Sequence, residues 1–255
     1  MLGAIAGDII GSIYEFDDEK PDYDFVLFTD QSHFTDDSIL TIALADSILS
    51  NSDYKLNLYE YYHRYPQGGY GGMFHQWAKV KNSPTYNSYG NGSAMRVSPV
   101  AWAYNDLDTV LLKAKESAEV THNHPEGIKG AQSTAAAIFL ARTGKSKNEI
   151  KKFIEEEFNY FLDFELEDLR EFYTFNETCQ KTVPQAIYTF LISENFEDSI
   201  RKAVYIGGDS DTLACINGSI AEAFYGIPDT IVRETISRLD VQLLKVVNEF
   251  RDRYI

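Results

Sequence analysis

Two cysteines, Cys179 and Cys215, are too few to staple a chain of 255 residues, so a disulfide framework is excluded. Neither has a neighbouring histidine, so both read as packing residues and a reducing cytoplasm is the expected compartment. Basic residues are also scarce: 23 Lys and Arg stand against 39 Asp and Glu, a net charge of −16. The densest basic stretch is only Lys79-Val80-Lys81, so phosphate backbones and anionic lipid surfaces find nothing to bind, and neither nucleic acid nor membrane is expected as a partner. Long apolar runs are missing too. Met1–Gly7 is interrupted by Asp8 and has no Lys or Arg ahead of it, which fits neither a secretory signal nor a membrane span. What remains is 44% hydrophobic and 24% charged, the balance of a folded globule.

Strand signals are few, whereas helical periodicity recurs along the chain. From Asp36 to Ser50 the apolar face runs Ile39, Leu40, Ala43, Leu44 and Ile48, opened by the N-cap candidate Thr35. Similar patterns predict helices near 3–15, 36–50, 55–64, 71–80, 93–103, 107–120, 126–143, 146–157, 184–193, 196–205, 211–225 and 228–252. Gly and Pro fall between them, as in Pro66-Gln67-Gly68-Gly69 and Gly226-Ile227-Pro228. The acidic, aromatic stretch 155–177 is the least regular, an inserted excursion or a surface helix pair. With no linker and no repeat, one all-α domain over residues 1–255 is expected, monomeric.

Two short segments depart from carboxylates spread over wet surfaces. Phe34-Thr35-Asp36-Asp37-Ser38 and Gly207-Gly208-Asp209-Ser210-Asp211-Thr212 each place two carboxylates and hydroxyls at the start of an apolar helix. Grouped carboxylates in a low-dielectric setting must take up protons or share a cation. Oxygen ligands without Cys or paired His suit Mg²⁺, Mn²⁺ or Ca²⁺ rather than zinc. Asp and Thr are also ordinary helix caps, and the spacing by itself leaves both readings open for segments 172 residues apart.

Three further stretches stand out. Asn87-Ser88-Tyr89-Gly90-Asn91-Gly92-Ser93-Ala94-Met95-Arg96 is a small-residue turn leading into a helix, suited to close approach of a phosphate but lacking the Lys-Ser/Thr ending of a P-loop. Thr121-His122-Asn123-His124-Pro125 carries two imidazoles at a spacing poorly suited to one metal, which favours ligand hydrogen bonding or a turn. Glu15 closes the predicted first helix between Tyr14 and Phe16, either an exposed helix-end carboxylate or one set up for proton transfer.

Taken in order, Gly7-Asp8-Ile9-Ile10-Gly11-Ser12 with Glu15, the two acidic segments, the Tyr89–Arg96 turn and the Thr121–Pro125 segment resemble the ADP-ribosylglycohydrolase family. The resemblance spans residues 3 to about 225. It implies an all-α orthogonal bundle of about a dozen helices with two Mg²⁺ (or Mn²⁺) ions at the base of a cleft. It assigns Thr35, Asp36, Asp37, Asp209, Asp211 and Thr212 to the metals. Catalysis is expected of Glu15, Asp36 and Asp209, and Ser88, Tyr89, Gly90, Asn91, Gly92 and His122 are expected to line the ADP-ribose pocket. The implied substrate is an ADP-ribosylated protein side chain, arginine favoured, or a small ADP-ribosyl compound. Hydrolysis of another ribosyl compound and non-catalytic ADP-ribose binding are the alternatives.

Overall fold

A computed structural model describes residues 1–15 and 19–255. In chain order the helices are α1 (Leu2–Gly11), α2 (Asp36–Ser50), α3 (Tyr54–Arg64), α4 (Gly72–Ala78), α5 (Gly92–Met95), α6 (Ser98–Ala103), α7 (Leu107–Glu119) and α8 (Pro125–Arg142). They continue with α9 (Lys147–Phe158), α10 (Leu166–Phe172), α11 (Cys179–Leu191), α12 (Phe196–Tyr205), α13 (Ser210–Tyr225), α14 (Asp229–Ser237) and α15 (Val241–Tyr254). No strand longer than an isolated bridge occurs among the described residues, and none of their helices is long and apolar enough to cross a membrane.

The bundle is organised around an antiparallel pair, α1 and α13. Every residue of α1 is buried, and α13 is buried from Ser210 to Glu222. Glycines at every fourth position let the two backbones touch: a Cβ on Gly3 would lie 2.2 Å from the Gly218 carbonyl oxygen, and one on Gly7 would lie 1.9 Å from that of Ala214. At the far end Gly11 abuts Ser210 and Asp211. The end of α1 and the start of α13 therefore meet at one point, with α2 packed on α1 and with α8, α11 and α12 packed on α13.

Several element boundaries differ from the sequence expectation. The first helix ends at Gly11, so Glu15 lies in the following turn and not on the helix; Phe16 lies outside the described residues. The segment 93–103 is two helices. Pro99 has no N–H to give the Met95 carbonyl, which instead accepts from Thr41 Oγ1 at 3.3 Å and Cys215 Sγ at 3.4 Å. The segment 228–252 also divides, because Asp240 Oδ1 captures the amides of Gln242 and Leu243 and starts α15 afresh. Helix α11 begins at Cys179, five residues before the expected start, and carries Pro184 in its interior. The irregular stretch 155–177 holds the end of α9 and the single seven-residue helix α10, so it is not a helix pair.

Both cysteines are free and buried, as packing residues should be. Burial pushes the Cys179 thiol up to about 12 and that of Cys215 well above its ordinary range. Neither thiol is expected to react with iodoacetamide at pH 8 until the chain unfolds. Mass spectrometry checks this, and fast labelling of the native protein would contradict it.

Candidate active site

Both acidic segments begin helices for local reasons. Thr35 has an extended backbone and caps α2, its Oγ1 accepting from Asp37 N at 3.3 Å. Gly207 and Gly208 both take left-handed conformations, φ +74° and +81°, and turn the chain so that Asp209 stands at the start of α13. Its side chain does not cap that helix; Oδ2 accepts from Asn91 Nδ2 at 2.6 Å instead. Capping thus explains Thr35 but not the aspartates.

The two segments, far apart in sequence, meet where α1 ends and α13 begins. One carboxylate oxygen each from Glu15, Asp209 and Asp211 lies within 4.8 Å of the other two. Thr212 Oγ1 donates to Asp37 Oδ1 at 3.4 Å, while Asp37 Oδ2 is buried without a partner. Asp36 is half-buried and faces the same cleft. Thr35 immediately precedes Asp36 and Asp37, and its hydroxyl donates to Asp8 Oδ1 at 2.6 Å. Asp8, on α1, also accepts from Thr35 N at 3.0 Å, Ser38 N at 3.1 Å and Ser38 Oγ, and so holds the start of α2 against α1.

These carboxylates crowd one another. Burial, then neighbouring negative charge, holds Asp36, Asp37 and Asp211 well above the ordinary carboxylate range. Burial, followed by the charges of Asp209 and Asp8, raises Glu15 to about 8. A hard divalent cation removes the conflict. The converging oxygens of Glu15, Asp209 and Asp211, the orphaned Asp37 Oδ2 and an all-oxygen donor set fit such an ion.

Above the cluster opens a cleft of about 350 Å³. One wall is the Tyr89–Gly92 turn, fixed to the start of α11 by Asn91 N to Glu177 O at 2.7 Å and Cys179 N to Tyr89 O at 3.0 Å. Ser88, Tyr89, Gly90, Asn91, Gly92 and His122 all line the cleft. Their uses differ. Tyr89 is 48% exposed at the rim, its ring 5.2 Å from that of His124. Ser88 Oγ accepts from Gly90 N at 3.0 Å, and the Asn91 amide spans Asp209 and Thr182. The turn is not an open cradle of backbone amides: those of Asn87, Ser88, Gly90 and Asn91 are bonded to Asn123, Thr121, Ser88 and Glu177. Helix α5 behind it has only four residues, too short to present an anion site of its own. The two imidazoles diverge, His122 into the cleft and His124 onto the start of α8, where its Nδ1 accepts from Glu126 N.

Sequence reasoning overlooked another part of the cleft wall. Gly69, Gly71, Gly72 and Met73 line the cleft, and Gly68 O accepts from Asp36 N at 2.6 Å. A signal was present, since four of the 16 glycines fall within the five residues 68–72. Tyr86, Arg96 and Glu177 also line it, and the anchoring role of Asp8 was likewise missed.

The ADP-ribosylglycohydrolase family model matches residues 1–254. Among curated proteins, ADP-ribosylhydrolase ARH3 of Homo sapiens is 28% identical, the match covering 89% of this chain and 84% of that protein. The ADP-ribosyl-[dinitrogen reductase] glycohydrolase of Rhodospirillum rubrum is also 28% identical, over 64% of this chain and 53% of its own length. A solved structure titled "ADP-ribosylglycohydrolase-related protein complex" superposes with a TM-score of 0.70 at 21% identity, covering 100% of this chain and 97% of the other. The chain therefore belongs to the ADP-ribosylglycohydrolase family and is a hydrolase of glycosidic bonds.

Proposed function

We propose that the chain acts as one unit over residues 1–255, a monomer that cleaves the bond between ADP-ribose and its acceptor, either a modified protein side chain or a small ADP-ribosyl compound. The observation that carries this reading is the meeting of two acidic segments at the floor of a cleft walled by the Tyr89–Gly92 turn. Thr35, Asp36, Asp37, Asp209, Asp211 and Thr212 would hold two Mg²⁺ or Mn²⁺ ions. Bound there, the ions supply Lewis-acid polarisation of ribose oxygens. Arginine leads among acceptors because Glu177 lines the cleft and the net charge of −16 draws a cation.

Cleavage at an anomeric carbon passes through an oxocarbenium-like state, so the sugar must be held and water delivered. Glu15 is the solvent-reachable member of its carboxylate trio, in a turn and not on a helix, and is placed to orient that water and take its proton. Asn91 holds Asp209 in place through its amide. Tyr89 offers an aromatic face at the rim, and His122 faces the cleft from the wall.

The test is ADP-ribose release from ADP-ribosyl-arginine and ADP-ribosyl-serine, with Mg²⁺, with Mn²⁺ and with chelator. Release should require the metal. Glu15→Gln should lower kcat by roughly 10²–10⁴-fold while ADP-ribose affinity stays within about threefold. Unchanged kcat would remove Glu15 from proton transfer. No release from either compound, with ADP-ribose still bound, would make the chain a hydrolase of another ribosyl compound or a binding protein.

A further inference from the structure

Helix α10 is short and acidic, yet two cations tie it to the segment that delivers Asp209. Lys20, in the connection that also carries Glu15, donates its ammonium to the carbonyls of Leu169, Arg170 and Tyr173 at the end of α10, the last at 2.7 Å. A helix end leaves carbonyls in need of donors, and its dipole favours a cation there. In return Arg170 donates to Lys20 O at 2.8 Å and to Tyr205 O, its guanidinium 4.4 Å from the centre of the Tyr205 ring. Tyr205 Oη donates to Glu167 Oε2 at 3.2 Å. Helix α10 thus grips the end of α12, two residues before Gly207.

The same groups enclose the glycine turn. A Cβ on Gly207 would lie 2.6 Å from Lys20 Cγ and 2.9 Å from its Cε, and one on Gly208 would lie 2.6 Å from the Tyr173 ring. The Lys20 methylenes and the Tyr173 ring therefore press on consecutive residues of the turn, and Asp209 follows immediately. The turn needs such support. Two glycines in left-handed conformations have little stiffness of their own. The Asp209 carboxylate, crowded by Glu15 and Asp211, is also pushed away from the cluster by their charge.

We propose that Lys20 and Arg170 are positioning residues: α10, clamped by both, braces the Gly207-Gly208 turn and fixes Asp209 within the carboxylate cluster. This rests on the reading of that cluster as a cation site. Lys20 acts twice, its ammonium gripping α10 and its methylenes bearing on Gly207. The irregular stretch 155–177 thereby supports the reactive centre from outside the cleft.

Lys20→Met keeps the methylenes and removes the ammonium. It should weaken Mn²⁺ binding, read by calorimetry, by about tenfold, and lower kcat for ADP-ribose release by a similar factor at saturating Mn²⁺ while KM stays within about threefold. In chelator, the peptide 207–212 should exchange its amide hydrogens faster than in the wild type, read by mass spectrometry. Arg170→Met cuts the same brace from its other side and should give the same losses. In the double variant the losses should overlap and not multiply. Lys152→Met, on the exposed face of α9, is the control and should bind Mn²⁺ as the wild type does. A pair that only stabilised the fold would lower the melting midpoint and leave the Mn²⁺ affinity of the folded protein unmoved. Wild-type Mn²⁺ affinity in either single variant would overturn the inference, as would losses that multiply. If the wild type itself binds no Mn²⁺, the cation reading falls and exchange decides the brace: faster exchange of 207–212 in both variants sustains it, and unchanged exchange removes it.

Discussion

Asp211→Asn is expected to melt at a higher temperature than the wild type in chelator, and to lose at least about a hundredfold in metal-dependent turnover. Asp211 is buried among Asp37, Asp209 and Glu15, and its charge is unfavourable there without a cation. Asparagine keeps the one bond that the oxygen makes, from Thr212 N at 2.8 Å, and turns an NH₂ group toward the other carboxylates. Repulsion becomes hydrogen bonding. For a chain of this size each kcal/mol gained raises the midpoint by about 2–4 °C. Added Mg²⁺ should then raise the wild-type midpoint and leave that of the variant nearly unmoved. Thermal melts with and without Mg²⁺, run beside the release assay, read both effects. A variant that melts lower in chelator, or that keeps its turnover, would show that the carboxylates are not a cation site.

The second large effect inverts a general rule. Glycine to alanine in a helix interior usually stabilises by roughly 0.5–1 kcal/mol. Gly7→Ala should instead cost about 3 kcal/mol or more, because the new methyl would occupy the space of the Ala214 carbonyl, 1.9 Å away, and rigid backbone cannot turn aside as a side chain can. Forcing α1 from α13 also separates Asp8 from the turn that carries Asp209 and Asp211, so activity should fall with stability. Gly72→Ala is the control, since nothing lies within 4 Å of its Cβ position; its stability should stay within about 1 kcal/mol of wild type. Urea unfolding of both variants decides the matter. A Gly7→Ala protein as stable as the wild type would mean that the two helices are not in backbone contact.

Much of this architecture is written in apolar spacing. Helix α2, with Thr35 as its cap, and helix α9, with the Ser146 and Glu149 capping box, were readable to within a residue because each start has its own local signal. The boundaries that went astray are those decided elsewhere in the fold. The break at Pro99 is stabilised by Thr41 and Cys215, which no window around residue 99 contains. Helix α11 begins at Cys179 because its start is bonded to the Tyr89 turn. The site divides in the same way. Residue chemistry marked the aspartates, and the family resemblance supplied the expectation that they meet. The role of Asp8 was invisible because a carboxylate within an apolar helix can be explained only once its donors, Thr35 and Ser38, are brought beside it. The amides of Asn87, Ser88 and Asn91 in the Gly90 turn looked free in sequence because their acceptors lie tens of residues away.

The pairing of α1 with α13 also sets a timetable for synthesis. Helix α1 leaves the ribosome well before α13, with Leu2, Ile5, Ile9 and Ile10 all destined for full burial, yet the α13 surface that receives them begins only at Ser210. At about 5–20 residues per second, roughly 10–40 s separate the two. For that interval a sticky apolar segment has no permanent partner and depends on α2 or on a chaperone to keep it from aggregating. The carboxylate cluster cannot assemble before Asp209 and Asp211 have emerged, so the nascent chain completes its reactive centre late and is chemically silent while it is most vulnerable.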